Sequence, residues 1–439
     1  MASTSLSRTT TAGTSYKKFT FSFWGKLSDP VATSSTFFGE YYNATNYTFW
    51  NVKDTSGDLQ IMGYDGGSYE YNLITDRQLK DVNGWYHIVV AFDSTQATAS
   101  DRIKVYINGV QETSFSTETY PSLNLAPRIA NGNRTQYVGQ PGGNSNYWNG
   151  TMAHVHYISD TAYAASDFGS TDSTTGIWKP KTAPSVTYGT EGFFLDFASS
   201  SDMGNDVSGN NNDFTVNGTM TQTIDTPSNV FATMNPLNYT SPSITYSNGN
   251  TKTTHGNAWT ASLATLGVSS GKYYWEGKVV SANNQNLFYG ICIANVDLDT
   301  APQNKSGVIS QHINGDRYVD TTYTASAAEA LTNGDIIGVA LDLDSATKNV
   351  KFYKNGSLLT SSSSINLTST FDDEIVFPMF IGTSESANAS WEVNYGNGYF
   401  GTTAVASAGT NAGVGTFEYD VPSGYKALCT RNINEQEYS

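Results

Sequence analysis

Two segments of this chain spell the same hairpin. Arg102-Ile-Lys-Val-Tyr-Ile-Asn-Gly-Val110 and Asn349-Val-Lys-Phe-Tyr-Lys-Asn-Gly-Ser357 each carry a strand with alternating apolar residues, a tyrosine, then Asn-Gly and a returning strand. Asn-Gly supplies the positive φ angles that a two-residue turn between right-twisted strands demands, so both segments are committed to antiparallel pairing. Each follows a run that reads as a buried strand ending in Asp, Ile88 to Asp93 in the first case and Ile336 to Asp344 in the second. Two sandwiches of related architecture in tandem are the simplest chain that contains this pattern twice.

The remaining sequence favours strands. In Lys18-Phe-Thr-Phe-Ser-Phe-Trp24, Phe19, Phe21 and Phe23 alternate with Thr20 and Ser22, which puts three rings on one core-facing side. Tyr47 to Val52, Leu59 to Tyr64, Ser68 to Leu73 and Trp85 to Asp93 follow, each bounded by Gly, Asp or Asn turn signals. With 28 Tyr, 21 Phe and 40 Gly, the chain reads as all-β: two tandem antiparallel β-sandwiches joined by an irregular segment. The expected organisation is an N-terminal arm over 1–15, a first jelly roll over 16–182, an Asn/Asp/Thr-rich connector over 183–257 and a second sandwich over 258–439. No Lys or Arg occurs between Lys181 and Lys252, which marks the connector as a change of character.

Charge excludes one class of partner. The 439 residues hold 23 basic and 39 acidic side chains, a net charge of -16. A nucleic-acid binder needs a basic footprint to displace counterions from phosphates, and no basic run exceeds Lys17-Lys18, so no nucleic acid is expected as a partner. No apolar run approaches the ~18 residues of a membrane span, so no membrane insertion is expected either. The N-terminal stretch lacks the apolar segment of a secretory signal, so synthesis and folding in a cytoplasm are expected. Cys292 and Cys429 are the only cysteines, too few for a disulfide framework; free thiols are favoured, and a single bridge between them stays open.

The sequence offers no catalytic pattern. A glycosidase needs two carboxylates on one strand face, and Glu276 in Tyr274-Trp275-Glu276 stands alone, so it reads as a solvated or salt-bridged group and the chain as no enzyme. His154 and His156 fall on one strand face without a visible third metal ligand. No cofactor is called for with certainty. The metal candidate is Asp202-Met-Gly-Asn-Asp-Val-Ser-Gly-Asn-Asn-Asn-Asp213, where Asp202, Asn205, Asp206, Asn210 and Asp213 offer the hard oxygens that calcium takes on a Gly-containing loop. Asn and Asp also cluster because they tolerate left-handed turns, and that reading competes with calcium. Sugar rings stack on aromatic residues while amides take their hydroxyls. Tyr41, Tyr42, Trp50, Tyr64, Tyr69 and Tyr71, in a region dense in Asn, Asp and Gly, are the candidate glycan-binding residues. Core or subunit interface is the competing reading of the same cluster.

Phe19 to Trp24, Gly84-Trp-Tyr-His-Ile-Val-Val-Ala-Phe-Asp93, the Asn108-Gly109 hairpin and Tyr147-Trp-Asn-Gly-Thr-Met-Ala-His-Val-His156 together resemble a laminin-G-like or concanavalin-type jelly roll over residues 16 to 170. In that reading Val155 is core and both neighbouring histidines point outward. Gly271-Lys-Tyr-Tyr-Trp-Glu276, Phe288-Tyr-Gly-Ile-Cys292, Gly334 to Asp342, Val350 to Gly356 and Phe377-Pro-Met-Phe380 occur in the order of a SPRY domain, and residues 270 to 428 resemble that family. The tandem, with Asp225-Thr-Pro-Ser-Asn-Val-Phe-Ala-Thr-Met-Asn-Pro236 and the ending Pro422 to Thr430, resembles virion-associated proteins of tailed bacteriophages, notably marine ones. That resemblance implies a non-enzymatic virion structural protein: a fibre, decoration or tail adhesin, released by lysis. Its implied partners are host-surface glycan and other virion proteins, and its implied assembly is a homo-oligomer, with a trimer favoured. A bacterial carbohydrate- or protein-binding module pair unrelated to a virion is the alternative.

Overall fold

A computed structural model describes residues 4–29, 34–53, 55–143, 146–239, 244–256, 258–282, 286–359, 364–383, 389–411 and 413–437, and counts and absences below concern these residues. The chain divides into two units, Met1–Gln222 and Thr223–Ser439. Both are built from antiparallel sheets, as the strand pattern predicts.

The first unit contains β1 (Ser5–Thr9), β2 (Lys18–Leu27), β3 (Ser35–Asn43), β4 (Asn46–Val52), β5 (Asp58–Asp65), β6 (Ser68–Gln78), β7 (Tyr86–Asp93) and β8 (Ile103–Ile107). After these come β9 (Val110–Gln111), β10 (Phe115–Thr119), β11 (Thr135–Val138), β12 (Gly150–Ser159), β13 (Gly169–Thr171), β14 (Trp178–Pro180), β15 (Phe193–Leu195) and β16 (Thr215–Asn217). An eight-stranded sheet in the order β10-β6-β5-β4-β3-β11-β1-β16 packs on a six-stranded sheet in the order β15-β12-β2-β7-β8-β9. Phe19, Phe21 and Phe23 of β2 are fully buried between them and stack on Phe92, Phe38 and Phe37 at 4.7, 4.3 and 4.5 Å. Each such ring contributes about 2–3 kcal/mol through apolar area removed from water.

Both Asn-Gly hairpins form with positive φ at both turn residues, +50° and +82° at Asn108 and Gly109, +48° and +79° at Asn355 and Gly356. The likeness extends to the asparagine side chain. Asn108 Oδ1 accepts the His87 N–H at 2.7 Å and Asn355 Oδ1 accepts the Ile336 N–H at 2.8 Å, so in each unit the turn pins the start of the preceding strand.

Two expected boundaries are corrected. The N-terminal arm is a sheet strand: β1 pairs with β11 on one side and β16 on the other, Leu6 is buried, and the Arg8 guanidinium is buried in an ion pair with the Glu191 carboxylate. Residues 1–3 lie outside the described residues. The 183–257 stretch is not a connector. Its first part supplies β15 and β16 to the two sheets of the first unit, and its later part supplies Met234–Tyr239, Ile244–Ser247 and Lys252–His255 to the sheets of the second. Phe193–Leu195 is three residues of unbroken apolar sequence and Thr215–Asn217 holds one apolar residue, so neither is long enough to show the apolar alternation by which strands are read.

The outer side of the six-stranded sheet is covered by the chain's own later residues, among them Tyr163, Phe168, Trp178 and Tyr188. There a bulge in β12, with His154 at φ +48°, leaves Val155 in the core and buries His156 against Phe194 at 4.0 Å. His156 points outward as expected, but Phe194 and Tyr188 cover it, so it is buried and not a solvated strand residue.

In the second unit, a seven-stranded sheet centred on Asn286–Ile293 and Val376–Thr383 encloses the core with a nine-stranded sheet centred on Lys272–Ser281 and Ile336–Asp342. Trp275, Tyr289, Phe352, Phe380 and Trp391 fill the space between, all buried. Cys292 and Cys429 are free, buried thiols.

Candidate binding face

The register of the eight-stranded sheet brings aromatic residues from four strands into one row. Tyr41 of β3 lies opposite Tyr47 of β4, which lies opposite Tyr64 of β5, which lies opposite Tyr69 of β6. Phe49, two residues after Tyr47 on β4, joins the row. Ring centroids are 6.4 Å apart for Tyr41 and Phe49, 4.6 Å for Phe49 and Tyr47, 5.0 Å for Tyr47 and Tyr64, and 5.1 Å for Tyr64 and Tyr69. Burial, together with the Tyr69 and Tyr64 phenols beside it, raises the Tyr47 pKa, which keeps its hydroxyl a donor beyond the usual tyrosine range.

Of the six residues the sequence singles out, Tyr41, Tyr64 and Tyr69 belong to this row and three do not. Trp50 and Tyr71 are fully buried on the opposite, core side, with the Trp50 indole N–H donating to the Tyr71 hydroxyl at 3.3 Å. Tyr42 follows Tyr41 and turns away from the row; its exposed ring lies 5.5 Å from the Arg128 guanidinium and 5.6 Å from that of Arg134. Tyr47 and Phe49 were missed by the sequence reading, although alternation against Trp50 already puts them on the outer face.

Polar residues flank the row on the same face. Gln60 Nε2 donates to Asn72 Oδ1 at 2.9 Å across β5 and β6, and Asn51 lies opposite Gln60. The segment after β11 closes in beside Tyr41. A Cβ on Gly143, which has φ +98°, would meet the Tyr41 ring at 2.2 Å, and one on Gly39 would meet Pro141 at 2.8 Å, so both glycines are needed for this approach.

One end of the sheet is locked by Arg128. Its guanidinium donates to both oxygens of the buried Glu40 carboxylate at 3.2 and 2.9 Å and to Asp65 at 3.0 Å, while its backbone N–H donates to Glu70 at 3.3 Å. Burial pushes the Glu70 carboxyl up to about 7 against the opposing pull of that N–H. Glu40 and Asp65 are both held by Arg128, so no second uncommitted carboxylate stands beside Glu70 in the way an acid and nucleophile pair would require.

In the 202–213 stretch most of the candidate calcium oxygens are engaged within the chain. The Asp206 carboxylate accepts the Phe194 and Ser208 N–H groups on one oxygen, and the Asn212 N–H and Ser208 hydroxyl on the other. Asp213 accepts the Asp206 N–H at 2.9 Å, and the Asn210 amide donates to the Gly189 and Gly192 carbonyls. Asp202 and Asn205 are exposed. The oxygens serve the chain's own donors in a turn containing left-handed Gly209 and Asn211, and no group of three His, Cys, Asp or Glu side chains placed to hold a metal occurs among the described residues.

Glu276 of the second unit is likewise not a solvated group. It is fully buried and accepts the Tyr274 hydroxyl, the Asn394 amide and the Glu418 and Tyr419 N–H groups. Four donors on one carboxylate fasten the 418–419 segment to the sheet, a structural use that leaves no lone pair for proton transfer to a substrate.

Comparisons with known proteins agree with this division. Residues 3–167 match the family model of the concanavalin A-like lectin/glucanases superfamily, and residues 272–398 match that of the SPRY domain. Among solved structures, the SPRY domain of human HERC1 is 22% identical, covering 36% of this chain and 96% of its own, at a TM-score of 0.31. The TRIM65 PSpry domain is 11% identical, covering 37% and 91%, at a TM-score of 0.30. Domain 4 of AbnA, a GH43 extracellular arabinanase from Geobacillus stearothermophilus in complex with arabinotriose, is 16% identical, covering 34% and 64%, at a TM-score of 0.27. A search of curated proteins returned no match. The chain carries a concanavalin A-like domain and a SPRY domain in tandem, a pairing of generally non-catalytic modules that fits a binding role.

Proposed function

We propose that this chain is a non-enzymatic binding protein of a tailed-bacteriophage particle, a fibre, decoration or tail adhesin, and that the outer face of its eight-stranded sheet attaches to host-surface glycan. The observation that carries the proposal is the row of Tyr41, Phe49, Tyr47, Tyr64 and Tyr69, flanked by the Gln60 and Asn72 amides. Tyrosines give large contact area with few rotamers to freeze, and side-chain amides supply the directional bonds that sugar hydroxyls need. The occupied carboxylates around Arg128 favour binding over hydrolysis on this face.

The particle assignment rests on the resemblance of the tandem to virion-associated proteins. In this proposal the SPRY domain contacts neighbouring virion subunits, and three copies assemble about a cyclic axis. Neither nucleic acid nor lipid takes part, in keeping with a net charge of -16. The test is mass spectrometry of gradient-purified particles together with binding of the isolated chain to host envelope preparations. Recovery of the chain at constant stoichiometry with particles, and envelope binding lost on Tyr64→Ala, is the expected result; absence from particles overturns the virion assignment.

A further inference from the structure

The same register assigns the outer face of the eight-stranded sheet, and between the strand ends that face is uncharged. Across all eight strands it presents Ser, Thr, Tyr, Asn, Gln and Gly, with Phe49, Met62 and Ile74 as its apolar members. The charges of these strands fall elsewhere. Arg8, Glu40 and Asp65 turn to the sandwich side, Glu118 lies opposite the core residue Leu73, and Glu70 occupies a bulge. Asp58, Asp76 and Arg77 stand at strand ends, where the register of β5 and β6 shifts. Eight strands at ~4.8 Å spacing make this face roughly 34 Å across. On a chain of net charge -16 that is a large area from which charge has been kept out.

The rings on this face are turned towards one another. Tyr47 lies between Phe49 and Tyr64 with interplanar angles of 27° and 26°, so its two faces are taken by its neighbours. The row therefore offers ring edges and hydroxyls more than a flat stacking platform. Beside it, the bond from Gln60 to the buried Asn72 holds the half-buried Gln60 in place and leaves the Gln60 carbonyl as an acceptor. We propose, building on the glycan-binding reading of this face, that its ligand is a neutral polysaccharide running across β4, β5 and β6, one without carboxylate or sulfate groups. An anionic polymer would approach an acidic protein and lose hydration at a face with no cation to pair it, and a cationic one would find no carboxylate there.

The test uses the full chain and a fixed panel of soluble polysaccharides: dextran, mannan, starch and galactomannan as neutral members, alginate, pectate and dextran sulfate as acidic ones. Retention is measured by affinity electrophoresis at about 50 and about 500 mM NaCl, a range over which screening of exposed charge changes strongly. The expected result is that every retained polysaccharide is neutral and that its affinity varies less than about twofold with salt. Gln60→Ala and Tyr64→Ala should each weaken retention about tenfold, with the thermal transition of the chain unchanged. Retention of an acidic polysaccharide that weakens as salt rises would overturn the neutral-ligand proposal while leaving the glycan reading standing. No retention of any member, or retention untouched by Tyr64→Ala, would bring down the glycan reading itself. Self-association abolished by Tyr64→Ala, with no polysaccharide retained, would instead make the face a contact between copies of this chain.

Discussion

Tyr69 and Tyr71 stand two residues apart on β6 and face opposite sides of the sheet. Tyr69 is 47% exposed and meets the Tyr64 ring at 5.1 Å, whereas Tyr71 is fully buried and receives the Trp50 indole N–H. Residues at i and i+2 share a face in a regular strand. Here Tyr71 pairs with Gly63 and Tyr69 with Tyr64, so Glu70 is an extra residue that turns the strand over. The bulge thus supplies the outer row with its last ring and the core with its tyrosine.

That geometry separates two substitutions that look alike in sequence. Tyr71→Ala removes a fully buried ring and should lower the stability of the first unit by about 3–5 kcal/mol. Tyr69→Ala should cost roughly 0.5 kcal/mol or less, as an exposed ring does. Urea unfolding followed by tryptophan fluorescence measures both, and equal costs would contradict the register.

Glu70 gives the first unit a pH dependence of defined sign. Its carboxyl is raised from 4.5 to about 7, so the stability tied to its protonated form is full below about pH 4.5 and is lost as pH rises through 7. Glu70→Gln keeps an oxygen for the Arg128 N–H and removes the charge. It should raise stability at pH 8 by on the order of 1 kcal/mol after solvent screening, with no gain at pH 4. Thermal unfolding at the two pH values decides; a gain at pH 4 equal to that at pH 8 would rule out this charge as the cause.

The limits of the sequence reading follow from the same residues. Alternation suffices where it is regular: Phe19, Phe21 and Phe23 reach the core as read, and both Asn-Gly turns form. It fails at Glu70, because a bulge inverts every later side chain and leaves no composition signal. Trp50 and Tyr71 were grouped with surface tyrosines by proximity in sequence, although strand parity separates Trp50 from Tyr47. β1 and β16 escaped because Ser-Leu-Ser-Arg-Thr and Thr-Val-Asn hold one apolar residue each, and their place is set by partners more than 120 residues away.

Asp206 should act as a fastening and not as a ligand. Asp206→Ala leaves the Phe194, Ser208 and Asn212 N–H groups without their acceptor, and a cost of about 2–4 kcal/mol follows from stranded donors, reduced where water can reach them. Addition of calcium, or of a chelator, should leave the unfolding temperature of the wild-type chain where it was. A calcium-dependent rise that disappears in Asp206→Ala would restore the metal reading.

Glu276 invites the same substitution as Glu70 and should answer with the opposite sign. Burial raises its carboxyl to about 7 as well, but Glu276 accepts four donors, whereas Glu70 is held by the Arg128 N–H. One carboxylate oxygen takes the Glu418 N–H at 2.9 Å and the other takes the Tyr419 N–H at 3.0 Å. The Tyr274 hydroxyl can rotate to accept a bond, whereas a backbone N–H cannot. Whichever way the amide introduced by Glu276→Gln is turned, its NH2 group faces one of these two N–H groups and leaves it stranded. Glu276→Gln should therefore destabilise the second unit by about 1–3 kcal/mol at pH 8, the cost of a buried donor without an acceptor. Differential scanning calorimetry of the full chain reads the second unit's transition, and a transition at or above the wild-type temperature would show that relief of the buried charge outweighs the lost acceptor.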